Sequence, residues 1–319
     1  MNYIVLDLEW NQCPDGKENE EALLPFEIIE IGAVRLDDDH RITDQFHELI
    51  HPQVYPVLHS VIREMISLDE NVLSDRRIFP DVIRDFLDWC GEDPCFCTWG
   101  PQDLLELQRN MDWYQIPSPF TFPLLYYDIQ KIFSIVYEDR KTRRALEFAV
   151  DYLNIEKHEV FHNAHSDALY TAKVMGFLSD EDILSNSSVD YFCTPQTRRQ
   201  EITIIYQTYS KFISKPFASK NDAMKDRVVT STHCYLCQKS VRKKIRWFSS
   251  GSRNYFCLAQ CEKHGWLKGK IRMRQHPDGS FYAIKTLKLI SEEDAYAIKE
   301  KQEILRLKRR LKRAYHTPH

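Results

Sequence analysis

The chain of 319 residues contains no run of about 18 uncharged apolar residues, which argues against a transmembrane helix. Its start, Met1-Asn2-Tyr3-Ile4-Val5-Leu6-Asp7, has neither a basic segment nor a small-residue cleavage site, so it reads as a first strand and not as an export signal. A cytoplasmic location is the expectation, and there the nine cysteines should be mostly reduced. No internal repeat is visible. The chain is also far too short to carry a polymerase of its own.

What is present divides by charge. Residues 1–180 hold 15 Lys and Arg against 34 Asp and Glu, whereas residues 181–319 hold 28 against 13. An acidic front half suits a site that collects divalent cations, and a basic rear half suits a surface that meets polyanions. Apolar clustering over residues 3–8, over Glu27–Leu36 and over Thr43–Ile50 predicts three strands in a meander. Helices are expected over Val61–Asn71 and Phe79–Trp89. A short strand over Cys95–Trp99 leads into a helix near Gln102. Strand then helix is expected within Leu124–Val136, and further helices over Leu146–Leu153 and Ser166–Leu178. This order is that of an α/β domain, a mixed sheet flanked by helices.

Residues 181–229 read as a linker with an embedded helix around Thr194–Phe212, capped by Thr194 with Pro195 in its first turn. Residues 230–290 read as a small β-rich module with a turn at His276–Gly279, and residues 291–319 as a basic helix opened by Ser291-Glu292-Glu293-Asp294.

Phosphodiester hydrolysis at neutral pH needs an activated water and compensation for charge growing on the phosphate, and two divalent ions about 4 Å apart supply both. Mg²⁺ or Mn²⁺ prefers carboxylate oxygens, so several acids must converge. Asp7 and Glu9, two apart on a strand, face the same way. Asp103 follows Trp99-Gly100 just past a strand end. His162 and Asp167 stand in His162-Asn163-Ala164-His165-Ser166-Asp167-Ala168, a loop running into a helix, and a neutral imidazole there can accept a proton from water.

Asp7-Leu8-Glu9, Trp99-Gly100-Pro101-Gln102-Asp103 and the H-x-A-x-x-D-A order of residues 162–168 resemble the motifs of the DEDD 3′→5′ exonucleases in their histidine subclass, the DEDDh type. RNase T and the epsilon subunit of DNA polymerase III belong to that superfamily. The Ile29-Glu30-Ile31-Gly32-Ala33-Val34 strand is similar too, and the likeness covers residues 1–180. It implies a ribonuclease-H-like fold and a catalytic set of Asp7, Glu9, Asp103, His162 and Asp167. In that set Asp7, Glu9 and Asp167 would hold the nucleophile-side ion, Asp7 and Asp103 the second, and His162 would be the general base. Asn163 occupies the place of the tyrosine that marks the other subclass, and His165 is a rival base if the loop register differs. Leu8, Trp10 and Asn11 are candidate contacts for the terminal nucleotide. Asn11 departs from the threonine common at its place, and Trp10 could stack on a base.

Cys234-Tyr235-Leu236-Cys237 supplies one turn of a tetrahedral zinc site. Cys261 and His264, at the same spacing before Gly265, are the favoured second pair, with Cys257 as an alternative ligand. The site is structural, since a module this small needs a staple. The layout looks like a zinc ribbon and is loosely similar to the animal cell-death-related nucleases. Arg242, Lys243, Lys244, Arg246, Arg253, Lys268, Lys270, Arg272 and Arg274 surround it, interleaved with Trp247, Phe248, Tyr255, Phe256 and Trp266, a composition suited to single-stranded nucleic acid. In the last helix Ile304, Leu307 and Leu311 form a stripe expected to pack, or to pair in a homodimer, with Lys308, Arg309, Arg310, Lys312 and Arg313 outward. The main expectation is a metal-dependent 3′→5′ exonuclease acting on RNA or DNA with a free 3′ end. The rival readings are a non-catalytic nucleic-acid-binding protein on a nuclease fold and a proofreading subunit.

Overall fold

The computed structural model describes residues 1–66, 70–276 and 278–315, and the chain divides into two compact units, Met1–Cys193 and Thr194–His319. Among the described residues no helix is long and apolar enough to cross a membrane.

The first unit is built on strands β1 (Tyr3–Gln12), β2 (Phe26–Leu36), β3 (Ile42–His51), β4 (Arg77–Ile78), β5 (Cys95–Thr98), β6 (Leu125–Asp128) and β7 (Ser188–Val189). Its helices are α1 (Ser60–Ile66), α2 (Glu70–Ser74), α3 (Phe79–Cys90), α4 (Asp103–Trp113), α5 (Ile129–Tyr137), α6 (Leu146–Tyr152), α7 (Ala164–Met175) and α8 (Asp180–Leu184). The helix expected over Val61–Asn71 is present as α1, and residues 67–69 of that span lie outside the described residues.

The sheet order is β4-β3-β2-β1-β5-β6-β7, antiparallel from β3 to β1 and parallel from β1 to β6. β1 is central, and its two faces enter different cores. Tyr3 and Val5 pack with α5, α6 and α7 residues such as Phe133, Ala149 and Val174, while Ile4, Leu6 and Leu8 pack with Phe86 of α3 and Leu107 of α4. Strand alternation therefore points Asp7 and Glu9 toward the α7 side. Gly32 lies opposite Asp7, and a Cβ there would come within 2.1 Å of the Ala164 carbonyl carbon and 2.2 Å of the His165 nitrogen. Only glycine lets the start of α7 rest directly on β2.

The second unit comprises β8 (Ile202–Ile205), β9 (Tyr209–Ile213), α9 (Lys220–Lys225), α10 (Arg227–Thr230), β10 (Arg242–Ser249), β11 (Asn254–Cys261), β12 (Gly265–Gln275), β13 (Phe281–Leu289) and α11 (Glu292–Tyr315). Its sheet runs β10-β11-β12-β13-β9-β8. The helix expected around Thr194–Phe212 is absent. A single turn at Arg198–Gln200, closed by a Thr197–Gln200 capping box, precedes the β8–β9 hairpin. The β-branched run Ile202-Thr203-Ile204-Ile205 favours a pleated strand over a helix and outweighs the Thr-Pro cap signal. Residues 202–213 are thus part of a sheet and not of a linker.

The α11 stripe does not take the first of its two expected roles, packing within the chain. Helix α11 is seated through Ala295 and Ile298 on Leu258, Ile245, Phe248 and Trp266. Ile304, Leu307 and Leu311 stay exposed, and among the described residues none covers them.

Candidate active site and metal centre

Four acids meet at the carboxyl end of β1. Asp7, Glu9, Asp103 and Asp167 line one cavity of about 430 Å³ together with Leu8, Trp10, Trp99, Gly100, Pro101, Gln102, Gln130 and Leu146. Each arrives by a local device. The β1 alternation supplies Asp7 and Glu9. Gly100, at φ 118°, turns the chain from β5 so that α4 begins at Asp103. Asn163 caps α7 by accepting the Ser166 N–H, which sets Asp167 in the first turn.

Oxygens of Asp7, Glu9 and Asp167 lie within 4.8 Å of one another. Asp103 stands outside that trio and accepts the Leu8 backbone N–H at 3.3 Å. The wall contains no Lys or Arg among its described residues. Burial, then the neighbouring carboxylates Asp103, Asp167, Glu9 and Glu30, push Asp7 well above the usual carboxylate range. Burial, then Asp167, Glu30 and Asp103, push Glu9 up to about 8. Burial lifts Asp103 to about 7 and Asp167 to about 6, against the hydrogen bonds they accept. Asp167 Oδ1 is buried with no hydrogen-bond partner. A cluster of acids with an orphaned oxygen and no cationic side chain is compatible with a hard divalent ion.

His162 is not in the cavity wall. Its residue is exposed at φ 65°, and its backbone N–H donates to Asp167 Oδ2 at 3.3 Å. His165 turns to β3, where its Nε2 meets Gln45 Oε1 at 2.7 Å and its ring stacks on His47 at 5.1 Å. The rival base is therefore committed elsewhere.

Of the three substrate-contact candidates, Leu8, almost wholly buried, and Trp10 both line the cavity. Asn11 does not: it is fully buried, donating to the carbonyls of Tyr55 and Val57 and accepting the His59 N–H. It is a hub for the 55–59 loop and not a substrate contact.

Glu30 was given no role by its sequence position. It is fully buried opposite Glu9, accepts from His47 Nε2 at 2.8 Å and from Asn163 Nδ2 at 2.7 Å, and leaves Oε2 without a partner. Through Asn163 it orients the cap of the helix that carries Asp167. The available signal was an acid inside an otherwise apolar strand, which must be paired if buried.

In the second unit Cys234, Cys237, Cys261 and His264 form a group whose ligand atoms lie within 4.8 Å of one another. Cys237 Sγ is 3.8 Å from Cys261 Sγ, and Cys261 Sγ is 3.7 Å from His264 Nδ1. A tetrahedron with bonds of about 2.3 Å has edges of about 3.8 Å, so the spacing fits zinc. Burial opposes ionisation of the Cys261 thiol, but the Lys263 and His264 backbone N–H groups outweigh it and hold the thiol at about 6. Cys257, the alternative ligand, is outside the group. It sits over Gly269, where a Cβ would approach its sulfur to 2.4 Å, and burial pushes its thiol up to about 12. Four strand positions separate it from Cys261, about 13 Å at the rise of a β-strand.

An exonuclease family model, RNase_T, matches residues 4–175. Similar solved structures include the nuclease domain of 3′hExo, a DEDDh family member, bound to rAMP, at 19% identity and TM-score 0.47, with 55% of this chain and 90% of that one covered. Cell-death related nuclease 4 (CRN-4) is similar at 19% identity and TM-score 0.47, covering 59% and 66%. E. coli exonuclease I in complex with a dA16 oligonucleotide is similar at 11% identity and TM-score 0.48, covering 81% and 54%. A search of curated proteins found no match. With the family match running through more than half of the chain, across the strands and helices that bring the four acids together, the chain belongs to the RNase_T exonuclease family.

Proposed function

We propose that the first unit removes nucleotides one at a time from a free 3′ end of RNA or DNA. The observation that carries this reading is the cavity of four acids with no cationic side chain in its wall. Asp7, Glu9 and Asp167 would hold one Mg²⁺ or Mn²⁺, and Asp7 with Asp103 a second. Bound there, the ions would offset charge on the phosphate and ease loss of the water proton. Trp10 and Trp99 flank the acids and would stack on or pack against the terminal nucleotide. His162, held beside Asp167 by its backbone N–H, would turn its exposed ring into the cavity when substrate is bound and take the proton of the attacking water. Water oxygen bonds to phosphorus as the phosphorus–O3′ bond breaks, giving a mononucleotide and a strand one unit shorter, whose new 3′ oxygen takes a proton from solvent. Cys234, Cys237, Cys261 and His264 would hold a structural zinc that staples the second unit.

The test is digestion of 5′-labelled single- and double-stranded RNA and DNA by the full chain. A descending ladder that needs Mg²⁺ or Mn²⁺, and that Asp7→Ala or Asp167→Ala abolishes, is expected. Immediate release of the labelled 5′ nucleotide, or an unchanged ladder in either variant, overturns the reading.

A further inference from the structure

The sheet of the second unit sorts its basic residues by face. On β12, Leu267, Gly269, Ile271 and Met273 are buried, so Lys268, Lys270, Arg272 and Arg274 share the other face, on which α11 also sits over Leu258 and Trp266; there Lys268 and Lys270 are half-buried and Arg272 and Arg274 exposed. Lys243, by contrast, donates to the Thr230 carbonyl, and the Trp247 indole N–H does the same, so both belong to the packing.

The β12–β13 register then sets Lys268 directly opposite Lys288. Like charges paired across strands destabilise a sheet. Burial first, and then Arg272, Lys268 and Lys301, push the Lys270 ammonium below its usual value. No carboxylate relieves it: among the described residues of this unit, the ion pairs are those of Arg198 with Glu201 and Asp226 and of Lys225 with Asp222. Phe256 lies opposite Lys270 on the same face, with the ammonium groups of Lys268 and Lys301 at 5.6 and 4.4 Å from its ring centre.

We propose that Lys268, Lys270, Arg272 and Arg274 of β12, with Lys288 of β13, bind the phosphate backbone of a single nucleic-acid strand, Phe256 offering a ring beside it. Every second residue of β12 presents a cation, a repeat of about 6.8 Å. That repeat is close to the step between successive phosphates of an extended single strand. One row of charge matches one backbone, and the contact reads no sequence. The choice of nucleic acid among polyanions rests on the exonuclease reading of the first unit.

The experiment measures anisotropy of a 5′-fluorescein 20-mer, RNA and DNA in turn, bound to the full chain in EDTA over a KCl series. Each phosphate contact adds about 0.7 to the salt slope for a single strand. The variant Lys268→Ser/Lys270→Ser/Arg272→Ser/Lys288→Ser should flatten the slope by about 3 and weaken binding several-hundredfold at about 0.1 M salt. Its melting temperature without nucleic acid should not fall, since the Lys268–Lys288 repulsion is gone. The variant Lys308→Ser/Arg309→Ser/Arg310→Ser should keep the wild-type slope. An unchanged slope in the first variant, or an equal loss in the second, overturns the proposal. So does wild-type binding to phosphatidylserine vesicles tight enough to displace the oligonucleotide. Hydrolysis of a dinucleotide by the wild-type chain with Mg²⁺ is measured alongside: its failure strikes the exonuclease reading, whereas an unchanged slope strikes only this face.

Discussion

Replacing Gly32 with alanine tests how the site is assembled. The added methyl would lie 2.1 Å from the Ala164 carbonyl carbon, against an ordinary carbon–carbon contact of about 3.5 Å. All three crowding atoms, the Ala164 carbonyl carbon and oxygen and the His165 nitrogen, are backbone of the first turn of α7, so no side chain can swing away. The helix must lift by about 1.4 Å, or β2 must bend beneath it. Either movement separates Asp167 from Asp7, whose oxygens now lie within 4.8 Å. A misplacement of about 1 Å costs on the order of 100-fold in rate, and overpacking costs about 1–3 kcal/mol. Gly32→Ala should therefore lower exonuclease kcat about 100-fold, weaken Mn²⁺ binding measured by electron paramagnetic resonance, and reduce Tm by several degrees. Gly251→Ala, with nothing within 4 Å of the new carbon, should be silent in all three assays. Wild-type rate and Mn²⁺ affinity in Gly32→Ala would refute the idea that close approach at β2 positions the acids.

In metal-free protein Glu9 and Asp167 are held at about 8 and 6. Their folded values exceed their unfolded ones, so the native state binds more protons between those limits and stability falls as pH rises through them. The melting temperature in EDTA should accordingly drop between about pH 5 and pH 8, and Mg²⁺ should restore far more at the upper end; a flat profile in EDTA would count against the acid cluster. Zinc analysis should find one equivalent in wild type and in Cys257→Ala but much less in His264→Ala, and full zinc in His264→Ala would reinstate Cys257 as a ligand. Glu30→Ala should release the Asn163 cap, lowering kcat about tenfold and stability by about 1 kcal/mol, while Glu30→Gln, which keeps an acceptor oxygen, should retain most of both. Equal losses in the two Glu30 variants would show that its charge and not its hydrogen bonds matters.

The carboxylates were legible because each rests on a short-range rule: Asp7 and Glu9 on strand alternation, Asp103 and Asp167 on helix starts. Asn11 was not, because the β1–β2 register shifts between Glu9 and Trp10 and the alternation cannot be carried past that bulge. Nothing local distinguishes a polar residue that ties down a loop from one that touches substrate. Glu30 was hidden for a related reason, since its partners His47 and Asn163 are 17 and 133 residues away. The Thr194–Phe212 segment misled because its cap signal covers one turn, while its outcome depends on β9 pairing with β13, about 70 residues downstream along the chain. Pattern favoured His264 over Cys257 because its spacing from Cys261 repeats that of Cys234 and Cys237, and His264 is the residue that joins the group.

β1 carries core and chemistry on the same row of side chains: Tyr3 and Val5 fill the interior, and Asp7 and Glu9 continue the line into the cavity. A slip of one residue against β2 would exchange the two rows, thrusting both acids among Ile28, Phe86 and Leu107 and turning Leu6 and Leu8 outward. The strand thus has a single pairing that satisfies oil and ion together. Mn²⁺ bound per molecule after refolding would then count the fraction of chains whose central strand is in register, so a catalytic ion doubles as a reporter of strand pairing.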